Sequence, residues 1–247
     1  MKKIVWAVIT GALFAALIVL LGRYDVAAIG PAGTEVGFSH INQMVHDLTG
    51  VNMIWYEITD YIGYGAIAIC GMFALAGFVQ MIKRRSLLKV DREIWALGGL
   101  FIAVIGCYVL FEKYIVNYRP IIMPGETAPE ASFPSSHTML IMTVMIAVMM
   151  VSDKYFGNLF GSFVRVLCFL TTLITIGGRL WCGVHWLTDI IGGILLSATL
   201  LFLFAAAISG GGKVKTDPAL EFAYDNRPAG KRKTAAPEST RGYKPKH

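Results

Sequence analysis

Six long apolar runs, separated by short polar connections, leave this chain few folds to adopt. They cover about Ile4–Leu21, Ile58–Ile82, Ile94–Phe111, Pro134–Val151, Leu159–Ile176 and Leu187–Ile208. A helix needs about 20 apolar residues to cross the hydrocarbon of a bilayer. A backbone in lipid must also satisfy its own N–H and C=O groups, which a helix does within one segment. Only 15% of the 247 residues are charged and 55% are hydrophobic, whereas soluble domains carry about 25% charged residues. A soluble bundle would have to bury several helices of this length on all sides. The sequence therefore predicts an all-α, polytopic membrane protein with six transmembrane helices.

Charge placement orients the spans. Lys83-Arg84-Arg85, followed by Lys89, closes the second run, and such a cluster marks a cytoplasmic loop. The first run is longer than the roughly 7–15 apolar residues of a cleaved signal peptide, so it is read as a retained helix starting inside. Six spans then leave both termini cytoplasmic. The net charge is +6, but the segment Lys213–His247 holds nine basic and four acidic residues and supplies most of it. That segment also mixes Pro, Gly and Thr, which favours disorder. Residues 1–210 are thus expected to form the membrane domain and 211–247 a basic cytoplasmic tail. A basic tail beside a bilayer attracts anionic lipid and does not argue for a nucleic-acid partner. Cys70, Cys107, Cys168 and Cys182 show no CxxC pairing and are read as small buried residues.

On the outer side, Phe38, Ile41, Val45 and Leu48 recur at helical spacing. They predict a short amphipathic helix lying on the outer surface by an apolar face. His40 and His46 fall on different faces of it and are expected to be solvated. Trp55, Tyr56, Tyr61 and Tyr64 form an interfacial aromatic cluster. The segment Ile121–Phe133 is too polar to span and reads as an exposed connection that could act as a lid.

The same topology gathers reactive side chains on one face. Gly178–Asp189 holds Arg179, His185 and Asp189 between two apolar runs. On a helix, His185 and Asp189 would share a face, so the carboxylate could fix the imidazole tautomer. Arg179 offers a planar fork suited to phosphate oxygens. Ser135 and Ser136 precede an apolar helix whose N-terminus favours anions. Lys113, Arg119 and His137 complete the set, and ionisable residues at a membrane boundary are functional by default. Helix-anchoring arginines are the plain alternative for Arg119 or Arg179 alone, but not for three loops converging on one face. The chemistry that suits this group is phosphoryl transfer: cations and amides hold the phosphate, one histidine attacks it and another protonates the leaving oxygen. A zinc site would use the histidines and aspartate but leave the arginines unexplained.

The three segments resemble the signature of the type 2 phosphatidic acid phosphatase family of integral membrane lipid phosphatases. That signature is Lys-x6-Arg-Pro, Pro-Ser-Gly-His and Ser-Arg-x5-His-x3-Asp. Here the matching residues are Arg119-Pro120, Pro134-Ser135-Ser136-His137, and Gly178-Arg179 followed by His185 and Asp189. The resemblance covers roughly Ile54–Ile208. Three departures stand out: Glu112 where the family has lysine, with Lys113 adjacent; Ser136 for glycine; and Gly178 for serine.

The resemblance implies a hydrolase without metal or other cofactor. His185 would attack phosphorus, Asp189 would orient it, and His137 would be the acid. Arg119, Arg179, Ser135, Ser136 and Lys113 would hold phosphate. It implies a lipid phosphate or pyrophosphate substrate, met at the outer face of a bacterial plasma membrane. Within the family, undecaprenyl pyrophosphate is slightly favoured over phosphatidylglycerophosphate, phosphatidate and diacylglycerol pyrophosphate, because that carrier is recycled on this face. A lipid-phosphate binder or transporter on the same scaffold is the rival reading, supported by the altered first motif. The oligomeric state is left open.

Overall fold

A computed structural model describes residues 1–209. Seven α-helices run α1 Lys2–Leu21, α2 Ser39–Thr49, α3 Met53–Arg84, α4 Arg92–Lys113, α5 Ser136–Phe156, α6 Asn158–Trp181 and α7 Leu187–Ser209. All but α2 are long and apolar enough to cross a membrane, so the six expected spans are present. The basic tail lies outside the described residues.

α5 and α7 form the centre. Half of the most apolar stretch of α5 is buried and 44% of that of α7, against 11–22% for the other spans. Ile141, Val144 and Ala147 of α5 are fully enclosed, and Leu201 and Phe204 of α7 join them in the core. Ser197 Oγ on α7 donates to the Met139 carbonyl of α5 at 3.1 Å, the small, polar contact that helices use where both solvent and partner are apolar. The outer helices turn large side chains such as Ile102 and Leu159 outward, as lipid-facing surfaces require.

Helix ends sort into two groups. At one end, Arg84 pairs with Asp91 at 2.8 Å and Lys154 with Glu93 at 2.5 Å, tying α3, α4 and α5 together. Arg165 pairs with Asp153 across the α5–α6 turn. Burial pushes the Asp91 carboxyl up, but Arg84, Gln80 and Lys154 outweigh it and hold it below the usual carboxylate range. Lys3 Nζ of α1 donates to the Ala205 carbonyl of α7 at 3.1 Å, so the start of α1 meets the end of α7. The other end carries the connections 22–52, 114–135 and 182–186, and it is where the predicted site residues lie.

Two boundaries differ from the sequence reading. α5 continues through Asp153–Phe156, leaving Gly157 as the turn, because Gly157 alone adopts φ +73. α6 continues through Gly177-Gly178-Arg179 to Trp181, since packing against α3 outweighs two glycines. α2 is present as the short helix expected, and its packed face is polar. Ser39 and Asn42 are buried and His46 is half-buried, while Ile41, Met44 and Leu48 are exposed, Leu48 by 78%. The apolar face that the spacing predicts is turned away from the protein, and hydrogen bonds to Gly183 and Thr188 hold the polar face.

Candidate active site

The extension of α6 places Arg179 in its last turn, with a side chain fully buried. Gly178 makes this possible: a Cβ there would lie 2.9 Å from Thr59 Cγ2 and 3.0 Å from the Trp55 ring. The bare backbone lets α6 close on α3. The Arg179 guanidinium then sits 5.0 Å over the Tyr56 ring. Its Nη1 donates to Thr59 Oγ1 at 3.2 Å and lies 3.6 Å from Asp60 Oδ1. Its Nη2 reaches His185 Nε2 at 2.9 Å.

That contact settles the state of His185. A guanidinium only donates and a carbonyl only accepts. Arg179 on Nε2 and the Ser132 carbonyl on Nδ1, at 3.1 Å, therefore require a proton on Nδ1 and a lone pair on Nε2. Burial holds the His185 ring well below the usual histidine range, with the charges of Arg179, Arg119 and His137 acting in the same direction, while the Ser132 carbonyl opposes them. The result is a neutral imidazole with its nucleophilic nitrogen beside a cation.

Asp189 does not make the bond expected of it. The helical pairing fails because α7 begins at Leu187, leaving His185 in the preceding loop. Asp189 Oδ2 stands 3.8 Å from Nδ1, beyond a hydrogen bond. It instead accepts Trp186 N at 2.9 Å, and Oδ1 accepts Asn117 Nδ2 at 3.1 Å. The carboxylate thus fixes the loop and the start of α7, as an acid in a first helical turn does, and acts on the ring through charge.

The serines divide their work. Ser135 caps α5 by accepting from Thr138 N and Thr138 Oγ1, and it is fully buried. Ser136 lines a cleft with Arg119, Glu112 and His185. Arg119 Nε lies 3.0 Å from Glu130 Oε2. Its segment is closed by Arg119 N to Glu130 O and Ser132 N to Asn117 O, both 2.9 Å, so the predicted lid is pinned at its base. Lys113 does not reach the site: it is exposed, with Nζ 5.7 Å over the Tyr114 ring. Glu112 occupies that wall. Helix α4 continues through both residues, so one step along it turns Lys113 away.

His137 is also present, with Nε2 2.9 Å from Asp60 Oδ1. Asp60 escaped the sequence reading, although a lone carboxylate inside an apolar run is itself a signal. His46 is not a solvated surface group: it donates from Nε2 to the Gly183 carbonyl at 3.2 Å. Asn42 holds Thr188 at both its backbone N–H and its hydroxyl, at 3.2 and 3.0 Å. Neither residue has a sequence signal that separates it from a surface polar group. Among the described residues, no three His, Cys, Asp or Glu side chains converge as a metal site.

Two loops and the ends of two helices bring two histidines and two arginines to one end of a six-span bundle, and the class is a multi-pass membrane protein. Residues 92–210, a little under half of the chain, match the PAP2 superfamily model. It is 27% identical over 173 residues to the undecaprenyl-diphosphatase BcrC of Bacillus subtilis, covering 68% of this chain and 80% of that protein. It is 30% identical over 118 residues to phosphatidylglycerophosphatase B of the same organism, covering 45% of this chain and 58% of that one. The crystal structure of a transmembrane PAP2-type phosphatidylglycerolphosphate phosphatase from B. subtilis shares the fold, with a TM-score of 0.61 and 17% identity over 85% of this chain and 99% of that one.

Proposed function

We propose that this protein is a lipid phosphatase that works through a phosphohistidine on His185, without metal, at the outer face of the plasma membrane. The observation that carries the reading is the neutral His185 ring, its Nε2 lone pair held 2.9 Å from Arg179. In the first step Nε2 attacks phosphorus, and Arg179 Nη2 shifts from the ring to the phosphate oxygens. The bond to the leaving oxygen breaks as His137 delivers a proton to it. Arg119 and the N-terminus of α5 share the charge of the transition state. Water then attacks phosphorus, His137 takes its proton, and the N–P bond breaks with its electrons returning to Nε2.

The cluster at Lys83–Arg85 supports the outer-face assignment. Asp60 and Arg84 lie on one helix at opposite ends, roughly 36 Å apart at 1.5 Å per residue. Positive charge favours the cytoplasm, which supports a site outside and both termini inside. Two of the relatives compared are undecaprenyl-diphosphatases, from B. subtilis and Sulfolobus acidocaldarius, so undecaprenyl pyrophosphate is the favoured substrate, with phosphatidylglycerophosphate next.

The test is phosphate release by the purified protein in detergent from a panel of lipid phosphates and pyrophosphates, with and without EDTA, beside His185→Ala. Chelator-resistant release that disappears in the variant is expected. Release unaffected by His185→Ala would end the phosphohistidine reading, and release abolished by EDTA would end the metal-free one.

A further inference from the structure

One face of α3 is given over to this site. Tyr56, Thr59, Asp60 and Gly63 follow the i, i+3, i+4, i+7 spacing of a single helical stripe. Tyr56 lies under Arg179 and Thr59 accepts from it. Asp60 meets both Arg179 and His137. Gly63 gives the His137 ring room against the helix: a Cβ there would lie 3.2 Å from its Cδ2 and 3.4 Å from its Nε2. Since the family match begins at residue 92, this stripe lies outside it.

The ring of His137 has two nitrogens with different surroundings. Nε2 has Asp60 at 2.9 Å, as a charged contact rather than an aligned hydrogen bond. Nδ1 is buried and has no partner among the described residues. A protonated His137 would stand among cations, with Arg179 and Arg119 both near enough to act on it. Asp60 is the carboxylate that touches the ring and Arg179 together.

We propose that Asp60 is a positioning residue for the general acid His137: it holds Nε2 and balances the ring's charge, leaving Nδ1 to face the leaving oxygen. Each histidine then has a carboxylate nearby: Asp60 of α3 touches His137, whereas Asp189 acts on His185 through charge from 3.8 Å. This rests on the phosphatase reading above. In the transfer step the proton leaves Nδ1 for the leaving oxygen, and the neutral ring keeps its Nε2 proton toward Asp60.

The experiment is steady-state kinetics of the purified full chain on the lipid phosphate or pyrophosphate it releases phosphate from fastest. The variants are Asp60→Asn, Asp60→Glu, His137→Gln and the double variant Asp60→Asn/His137→Gln. Losing a positioned acid costs about 10²–10⁴-fold, so Asp60→Asn, which leaves the acid but removes its partner, is expected to lower kcat about 10–100-fold with KM within about threefold. Residues acting as a unit are non-additive, so the same substitution in the His137→Gln background should change kcat less than about twofold. Asp60→Glu keeps the charge and should recover part of the loss; it is read in place of Asp60→Asn if that variant does not fold. A loss confined to KM, an effect that multiplies with His137→Gln, or wild-type kcat in Asp60→Asn would each overturn the proposal. A wild type with no phosphatase activity would overturn the phosphatase reading itself, which separates the two failures.

Discussion

The two histidines of the site are held in opposite ways. His185 sits in a loop braced from every side: Arg179 and Ser132 on its ring, His46 on Gly183, Asn42 on Thr188, and Asn52 N on the Cys182 carbonyl at 3.1 Å. His137 sits at the start of a rigid helix, and one charged contact from α3 fixes its ring. A nucleophile must be aimed, and misplacing it by about 1 Å can cost 10²-fold. An acid must mainly hold and release a proton, which a neighbouring charge governs. In the proposed mechanism the segment 22–52 serves the nucleophile His185, while the span α3 serves the acid His137.

This difference can be broken most severely at Gly183, which has φ +67 and would place a Cβ 1.9 Å from the Gly50 carbonyl oxygen. Gly183→Ala should cost about 2–5 kcal/mol from left-handed strain and overpacking. Thermal unfolding in detergent and phosphate release should fall together. Asn42→Ala is next. It strips the buried Thr188 N–H of its partner, costing about 1–3 kcal/mol, and should lower kcat about 10–100-fold by loosening the loop. Asp60→Asn should lower the melting temperature as well as kcat, because it takes the carboxylate charge from beside the fully buried Arg179, and a buried charge left without its partner is destabilising. If Asn42→Ala left both stability and kcat intact, the brace would be incidental.

The pH dependence sharpens the same contrast. Burial keeps His185 below the usual range, so the ring stays neutral as pH falls through about 6.5, where a free histidine takes up a proton. The wild type should therefore keep its turnover below that pH. The unfolded chain does gain a proton there, so stability should decline on acidification, by at most about 1.4 kcal/mol per pH unit. Loosening the loop with Asn42→Ala lets water reach the ring and should move the acidic limb of the rate profile upward. An unchanged limb would show that the cations around His185 set its charge state rather than its burial.

Much of this molecule was legible in the chain because the bilayer enforces simple rules. Six apolar runs gave six spans, and the charged and histidine residues between them met at one end. What the chain hid was local geometry. Asp189 follows His185 by four residues, but α7 starts between them, so spacing could not reveal that the aspartate bonds Trp186 N. α2 reads as an apolar-faced surface helix because its contacts with the site loop are polar and 137–146 residues distant in sequence. Asp60 acts across α3, α5 and α6, and no local pattern links it to His137.

The smallest effect concerns Glu112, which stands in the cleft wall beside Arg119 where the resembled family has a lysine. A carboxylate there repels an incoming phosphate, so Glu112→Lys exchanges a repulsion for an attraction. The gain is limited on two counts. Glu112 is exposed, and exposed charges interact by about 1 kcal/mol or less. The new ammonium would also sit beside Arg119, whose Nε already lies 3.0 Å from Glu130. The expected result is a KM lowered about two- to fivefold, with kcat unchanged because neither histidine is touched. Salt should erode the gain, since exposed charges are screened within about 8–10 Å at ordinary ionic strength. A change in kcat instead would mean that this wall acts on the transition state, and that the nucleophile side extends to α4.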